Sequence, residues 1–165
     1  MTRVTIQLPE IFIYETDIMV RVSDLNYGNH VGNDSILTLM QEARTLFYRS
    51  RGFESEVKLE GPIGQIVADA AIVYKSESFL GDTLRIQLAV GECHKYGFDL
   101  FYLITQRKTG KEVAVGKTGI VCFDYDKRRS GKYARFGFSK AIYEVISDIL
   151  NFAGFVQRHG KIHLQ

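Results

Sequence analysis

The stretch HVGNDSILTLMQEARTLFYRSRG, residues 30–52, decides the fold. Its apolar side chains recur at steps of three and four residues, which is the period of one helical face. The members of this stripe are Ile36, Leu39, Met40, Ala43, Leu46 and Phe47. Asn33 or Asp34 can cap the start of a helix, and Gly52 can end it. The pattern therefore predicts a long, well-buried helix over roughly residues 34–51.

A polar and flexible loop, RVSDLNYGNHVGND, occupies residues 21–34 directly before this helix. It contains two aspartates, three asparagines, two glycines and one histidine, and few large apolar side chains. One explanation is a loop that only caps the helix. The other is an active-site loop, because a helix start offers free N–H groups and the positive end of the helix dipole. The residues alone support these two interpretations equally.

Strand patterns lie on both sides of the helix. One precedes it at residues 12–25, and four follow it at 65–78, 82–96, 98–108 and 112–125. A glycine suited to a tight hairpin occurs in each joint between the last four (FLGD, KYG and KTGK), which predicts an antiparallel meander. A second helix, capped by Ser139, is predicted at 139–154. An antiparallel sheet must cover its apolar face, so we predict an α+β protein whose five-stranded sheet wraps around the long helix.

Length and composition are those of one soluble globular domain, residues 1–165. A net charge of only +2 gives no electrostatic reason to expect nucleic acid or a membrane as a partner. The apolar runs are too short to span a membrane, and no signal peptide is evident. Because the two cysteines, Cys93 and Cys122, are far apart and suit reduced thiols, we expect a cytoplasmic protein. No metal or cofactor is expected, since no metal-ligand spacing, Walker loop or dinucleotide fingerprint occurs.

Three short motifs carry a resemblance to a known family. The loop at 24–33, DLNYGNHVGN, resembles the D-x-D-x-x-x-H-V-N-N loop of acyl thioesterases in the 4-hydroxybenzoyl-CoA and acyl-carrier-protein thioesterase superfamily. The segment MQEAR at 40–44 resembles the EAR of that family's central helix. The segment VYKSESFLGDTLRI at 73–86 resembles its strand followed by a GD joint.

The resemblance covers roughly residues 12–126 and implies the hotdog fold, with residues 139–154 as a C-terminal helical extension. It also implies an enzyme that hydrolyses an acyl thioester to the free acid and the thiol. The leading substrate is acyl-CoA, with an acyl carrier protein thioester as the other candidate.

One position departs from the family's pattern. In many members the catalytic aspartate is the second acid of the loop, and here that position is Asn26. An amide cannot act as a general base or attack a carbonyl. The alternative function is therefore a non-catalytic module of the same fold that binds acyl-CoA or acyl carrier protein. A dehydratase or hydratase ranks last, because the chain has no His-Phe-Pro type loop.

Four residues form the predicted catalytic group. Asn26 and His30 would position the water or the substrate, and Asp34 or Glu42 would be the base or the nucleophile. Two simpler roles stay open. His30 could only brace the loop, and Glu42 could pair with an arginine of its own helix, Arg44 or Arg49, or be a solvated surface glutamate.

Two further features are assigned to substrate binding. The N–H groups of Gly32 and Asn33 would bind the thioester oxygen as it becomes negative. A basic run follows the last strand and contains Lys127, Arg128, Arg129, Lys132 and Arg135. Arg128 and Arg129 suit the phosphates of CoA, although such a run is more often a solvated loop.

A homodimer or homotetramer is expected, because the edges of a sheet are normally paired or covered. In the family that the chain resembles, two sheets join edge to edge and the sites lie at the seam. The resemblance therefore implies that each site is completed by a second copy of the chain.

Overall fold

The computed structural model describes residues 4–59, 61–94 and 96–130. The elements in chain order are β1 (Tyr14–Met19), α1 (Asn33–Ser50), β2 (Ile63–Tyr74), β3 (Thr83–His94), β4 (Gly97–Gln106), β5 (Glu112–Asp124) and β6 (Arg129–Ser130). A short 3-10 turn, Val22–Asp24, lies between β1 and α1. The predicted helix at 139–154, with Lys132 and Arg135 of the basic run, lies outside the described residues.

One antiparallel sheet contains these strands in the order β1–β3–β4–β5–β2, with β6 beside β5. The helix α1 covers one face of this sheet, which confirms the predicted α+β class with a central helix. The two-residue β6 was not predicted from the sequence. β1 is shorter than its predicted range of 12–25, because the chain leaves the ladder after Met19 and enters the 3-10 turn.

The predicted four-strand meander is wrong at its first joint. β3, β4 and β5 are consecutive neighbours, but β2 pairs with β5 and lies at the edge opposite β1. Residues 75–82, here called the crossover segment, connect the two ends of the sheet. Near the end of this segment Gly81 has a φ of +82° and donates its N–H to the Val20 carbonyl beside β1. A glycine turn suits a hairpin and a crossover equally well, so the joint alone did not reveal the pairing.

The apolar stripe of α1 is the centre of the core, as predicted. Leu39, Met40 and Ala43 are fully buried against alternate residues of β3 and β4. Those strand residues are Leu84, Ile86, Leu88, Leu100, Tyr102 and Ile104. On β5, a Cβ added to Gly116 would lie 2.6 Å from Cε of Met40. A side chain at position 116 would therefore require the end of the Met40 side chain to move.

The start of α1 differs from the prediction. Neither Asn33 nor Asp34 is the N-cap, because Gly32 occupies that position with extended backbone angles and no side chain bonds to the first-turn amides. The end is as predicted, since Gly52 has a φ of +86° and donates its N–H to the Arg49 carbonyl. The helix therefore begins with N–H groups that are open to another acceptor.

A buried polar network joins α1 to the loop before β2. The Arg44 guanidinium donates to the Glu56 carboxylate at 2.8 Å and to the Tyr102 hydroxyl at 3.2 Å. The Tyr48 hydroxyl donates to Oε1 of Gln65 at 2.6 Å, and the Gln65 amide donates to Glu56 at 3.2 Å. Burial raises the pKa of Tyr48 and of Tyr102, so both hydroxyls keep their protons. The network holds the loop in one arrangement against the helix.

We expect Arg44→Met to lower the free energy of unfolding by about 3 kcal/mol, because the Glu56 carboxylate would lose its buried partner. Urea unfolding measures this loss. Arg49→Met is the matched control, since Arg49 is an exposed arginine of the same helix, and it should cost less than about 0.5 kcal/mol. Equal losses from the two variants would contradict a stabilising role for the network.

Candidate active site

The polar loop, residues 21–34, forms a small hairpin in front of α1. Asn26 donates its N–H to the His30 carbonyl at 2.9 Å, which closes the turn at the tip. The N–H of Val31 donates to the carbonyl of Ser78 at 2.9 Å. This second bond attaches the loop to the crossover segment and holds these two segments next to each other.

Asp24 is a buried acid that holds the base of the loop. Its side chain accepts the backbone N–H of Arg21 at 2.8 Å, and its carbonyl accepts the N–H of Gly32 at 2.9 Å. The N–H of Gly32 is therefore already used inside the loop, which disfavours the oxyanion role predicted for it. The N–H of Asn33 has no acceptor among the described residues. Of the two N–H groups predicted to bind the thioester oxygen, the one that can still do so is therefore that of Asn33, in the first turn of α1.

Asn26 and His30 lie side by side at the tip of the loop. Oδ1 of Asn26 accepts the N–H of Gly28 at 2.8 Å, and its Nδ2 lies 3.4 Å from Nδ1 and 3.5 Å from Nε2 of His30. Nδ1 of His30 is also 3.2 Å from the carbonyl oxygen of Val31. Because a carbonyl can only accept, we assign the proton of the neutral ring to Nδ1. Nε2 then keeps its lone pair.

A pocket of about 400 Å³ opens beside this pair. Its wall consists of Asn26, His30, Val31, Asn33, Ile36, Tyr74, Lys75, Ser76, Glu77, Ser78 and Val113. The loop and the first turn of α1 contribute one part of this wall, and the end of β2 with the crossover segment contributes another. Ile36 and Val113 are buried apolar side chains, so polar groups and an apolar surface meet in one concave site.

Neither predicted carboxylate lines this pocket. Oε2 of Glu42 accepts a hydrogen bond from Nη2 of Arg21 at 2.9 Å, so its suggested pairing with Arg44 or Arg49 is wrong. The attraction of Glu42 raises the pKa of the Arg21 guanidinium, which keeps its charge. Asp34 is exposed on the first turn of α1. Within one chain, the geometry brings neither acid to this pocket.

Arg128 and Arg129 are also far from the pocket within one chain. Both are exposed at the turn between β5 and β6, where Arg129 pairs with Asp124. Val113, which lines the pocket, lies at the opposite end of β5. At about 3.3 Å per residue, these two ends are on the order of 35 Å apart.

Five consecutive pocket residues were not predicted as site residues from the sequence: Tyr74, Lys75, Ser76, Glu77 and Ser78. They lie at the end of β2 and in the crossover segment. The FLGD joint of this segment is predicted from the sequence to form a hairpin. The Tyr74 hydroxyl donates to the Asn33 carbonyl at 3.0 Å, and Oε1 of Glu77 lies 3.9 Å from Nε2 of His30. The motif at 73–86 is the sequence signal that marks this segment. It does not reveal which residues the segment contacts.

Two observations concern residues 4–59, 61–94 and 96–130. No helix in these ranges is both long and apolar enough to cross a membrane. These ranges also contain no group of three or more His, Cys, Asp or Glu side chains that could hold a metal ion.

Comparisons with known proteins give a consistent result. A family model described as the thioesterase-like superfamily matches residues 20–147. A DHNA-CoA thioesterase from Staphylococcus aureus has a TM-score of 0.73 at 21% identity, with 90% of this chain and 95% of that chain covered. A 1,4-dihydroxy-2-naphthoyl-CoA thioesterase from Synechocystis has a TM-score of 0.71 at 19% identity, with 82% and 96% covered.

A third similar structure is a hypothetical protein from Staphylococcus aureus in complex with CoA. It has a TM-score of 0.70 at 15% identity, and the alignment covers 96% of this chain and 94% of that chain. No curated protein matches the chain. At these low identities the similar structures show the fold alone, and they confirm the predicted hotdog arrangement.

We expect Asp24→Asn to lower the free energy of unfolding by about 2 kcal/mol, because the Asp24 carboxylate is buried and its charge-assisted bond to the Arg21 backbone would be lost. Asp34→Asn is the matched control, since Asp34 is an exposed acid of the same loop. The control should cost less than about 0.5 kcal/mol in the same urea titration. A smaller loss from Asp24→Asn than from the control would exclude the structural role of Asp24.

Proposed function

We propose a function from one premise, that this chain belongs to the thioesterase-like superfamily. The protein hydrolyses an acyl-CoA thioester to the free acid and the thiol. The observation that carries the proposal is the pocket, in which a free amide at the start of α1 lies near a histidine with an available lone pair. These are the parts that acyl transfer to water requires.

The start of α1 supplies the electrostatic part of the reaction. The thioester oxygen becomes negative when water attacks the carbonyl carbon. The N–H of Asn33 and the positive end of the helix dipole stabilise that charge more than they stabilise the uncharged substrate. Removing one such donor from an enzyme typically costs about a hundredfold to a thousandfold in kcat.

His30 and Asn26 supply the positioning part. With its proton on Nδ1, the His30 ring presents the lone pair of Nε2 and can accept a hydrogen from the attacking water. The Asn26 amide, fixed through its bond to the N–H of Gly28, lies beside both ring nitrogens. It orients the ring or the substrate, and it cannot take the proton itself.

The pocket also suits an acyl group next to a polar reaction centre. Ile36 and Val113 offer an apolar surface on which the acyl chain would lie. CoA is the proposed thiol carrier for two reasons: two similar structures are named as thioesterases of a CoA ester, and a third contains CoA. An acyl carrier protein thioester is the second candidate substrate.

A homodimer is part of the proposal. β2 is an edge strand, and its residues 66–70 are exposed, as is Tyr74. Its ladder with β5 shifts register between Val67 and Asp69, so Ala68 is an extra residue that bends the strand. Exposed edge strands are normally paired, covered or protected by such a bulge, and we propose that β2 pairs with a second copy of the chain. A homotetramer would be two such dimers.

Antiparallel pairing of two β2 edges would bring opposite ends of the two sheets together. The Tyr74 end of β2, with its pocket, would meet the Ile63 end of the second copy. Ile63 pairs with Asp124 on β5, next to the turn that carries Arg128 and Arg129. The arginines that are remote within one chain would then approach the pocket of the other, where the CoA phosphates would lie.

The second candidate function is binding of acyl-CoA or acyl carrier protein without hydrolysis. Asn26 favours it, since an amide stands where many relatives carry the catalytic acid. Hydrolysis is ranked first because the pocket retains a histidine, an oxyanion donor and, in the crossover segment, a carboxylate.

Hydrolysis of a panel of acyl-CoA esters, followed by release of the thiol, tests the proposed function directly. We expect His30→Ala to lower kcat by about a hundredfold to ten-thousandfold with little change in melting temperature. Gln41→Ala, a change at an exposed position of α1, is the control and should keep normal turnover. Tight binding of acyl-CoA without any thiol release would favour the binding module. A sharp gain of turnover in Asn26→Asp would point the same way.

Reversal of Arg128 and Arg129 to glutamate tests the CoA contact across two copies. We expect the double variant to raise KM for acyl-CoA, because phosphate contacts are lost, and to leave KM for a short thioester without the nucleotide unchanged. Reversal of Arg49 and Arg51 at the other end of α1 carries the same change of net charge and serves as the control.

Light scattering at micromolar concentration should give a dimer or a tetramer. A monomer, or equal effects on both substrates, would exclude this arrangement.

A further inference from the structure

Glu77 is the one carboxylate among the described residues that line the pocket. It lies in the crossover segment, across the pocket from the loop. The bond from the N–H of Val31 to the carbonyl of Ser78 holds that segment next to the loop. Oε1 of Glu77 lies 3.9 Å from Nε2 of His30. The side chain of Glu77 is 66% exposed, so solvent water reaches its oxygens freely.

The distance between Glu77 and His30 suits one shared water molecule. At 3.9 Å the two atoms are too far apart for a direct hydrogen bond. A water about 2.8 Å from each atom would subtend an angle of roughly 90°, close to the angle between the two hydrogens of water. Nε2 has a lone pair and the carboxylate oxygen is an acceptor, so both hydrogens of that water would find a partner.

We propose that Glu77 is the catalytic carboxylate of this chain and replaces the acid that is missing at Asn26. The proposal rests on the proposed hydrolase function and assigns its general base. The water between Glu77 and His30 forms the new C–O bond to the thioester carbon. At the same time Glu77 takes one proton from the water, and His30 accepts a hydrogen bond from the other hydrogen.

The second half of the reaction returns the proton. The tetrahedral intermediate carries its negative oxygen against the N–H of Asn33. Its collapse restores the C=O bond and breaks the C–S bond, and the sulfur leaves with the proton held by Glu77. One water is consumed and the products are the free acid and the thiol, so Glu77 ends in its starting state.

The two serine hydroxyls of the crossover segment are occupied. The Ser76 hydroxyl donates to the Glu112 carbonyl, and the Ser78 hydroxyl donates to the Asp82 carboxylate at 2.9 Å. Neither serine has a histidine within hydrogen-bond distance among the described residues, so neither is an activated nucleophile. Attack by water is therefore the reaction that this pocket supports.

The decisive experiment is Glu77→Gln in the full chain, with an acyl-CoA that the unaltered protein hydrolyses. We expect kcat to fall by about a hundredfold or more, with KM changed less than about threefold and an unchanged melting temperature, because Glu77 is exposed. Glu112→Gln is the matched control, since Glu112 is an exposed carboxylate at the start of β5 that does not line the pocket. It should keep normal kcat.

A rescue variant separates a base from a residue that only shapes the pocket. The Asn26 amide lies 3.5 Å from Nε2 of His30, so a carboxylate at position 26 would reach the same water from the other side. The double variant Asn26→Asp with Glu77→Gln should regain at least tenfold of the lost kcat. Glu77→Asp, which keeps the carboxylate, should lose less activity than Glu77→Gln.

The outcomes are distinguishable. Normal kcat in Glu77→Gln, together with a large loss in His30→Ala, would overturn the role of Glu77 and leave the proposed hydrolysis in place. Equal losses in Glu77→Gln and Glu112→Gln would also overturn it. An unaltered chain that binds acyl-CoA and releases no thiol would overturn both proposals.

Discussion

Burial of the apolar stripe of α1 against the sheet is the packing constraint on which the rest of the structure depends. Alternate residues of β3 and β4 surround this stripe, and Gly116 of β5 leaves room for the end of the Met40 side chain. The same packing brings the first turn of α1 to the sheet. There Asn33 lies within hydrogen-bond distance of Tyr74, and Val113 completes the apolar part of the pocket. The geometry of the site is thus set by packing inside the core.

The carboxylates near α1 have different surroundings, and these surroundings indicate the role of each carboxylate. Asp24 is buried under the loop, Glu42 is paired with an arginine, and Glu56 is paired with a different arginine beneath the helix. A carboxylate with a dedicated partner is held in place and contributes to structure. Glu77 instead faces a histidine across an open pocket. The carboxylate near the histidine therefore belongs to the crossover segment and not to the loop.

Much of the fold could be predicted from the sequence because its signals are local. The stripe of α1 appears as predicted, since periodicity reports which residues are buried, and the strand predicted at 82–96 corresponds to β3. The pairing of β2 with β5 could not be predicted, because a glycine joint does not encode which strand comes next. The partner of Glu42 was missed for a similar reason, as Arg21 is distant in sequence and adjacent only after the loop folds. Glu77 lies in a segment without periodicity, where only the folded chain shows what it faces.

The extra residue at Ala68 has a consequence for the chain as it leaves the ribosome. β2 is an exposed edge strand in the single chain, and a straight exposed edge accepts almost any extended segment. Such indiscriminate addition leads to fibrous aggregates. The bend between Val67 and Asp69 interrupts that template, and Asp69 with Lys117 adds charges beside it. A bent and charged edge of this kind pairs poorly with unrelated strands. The bulge therefore protects the newly synthesised chain against aggregation.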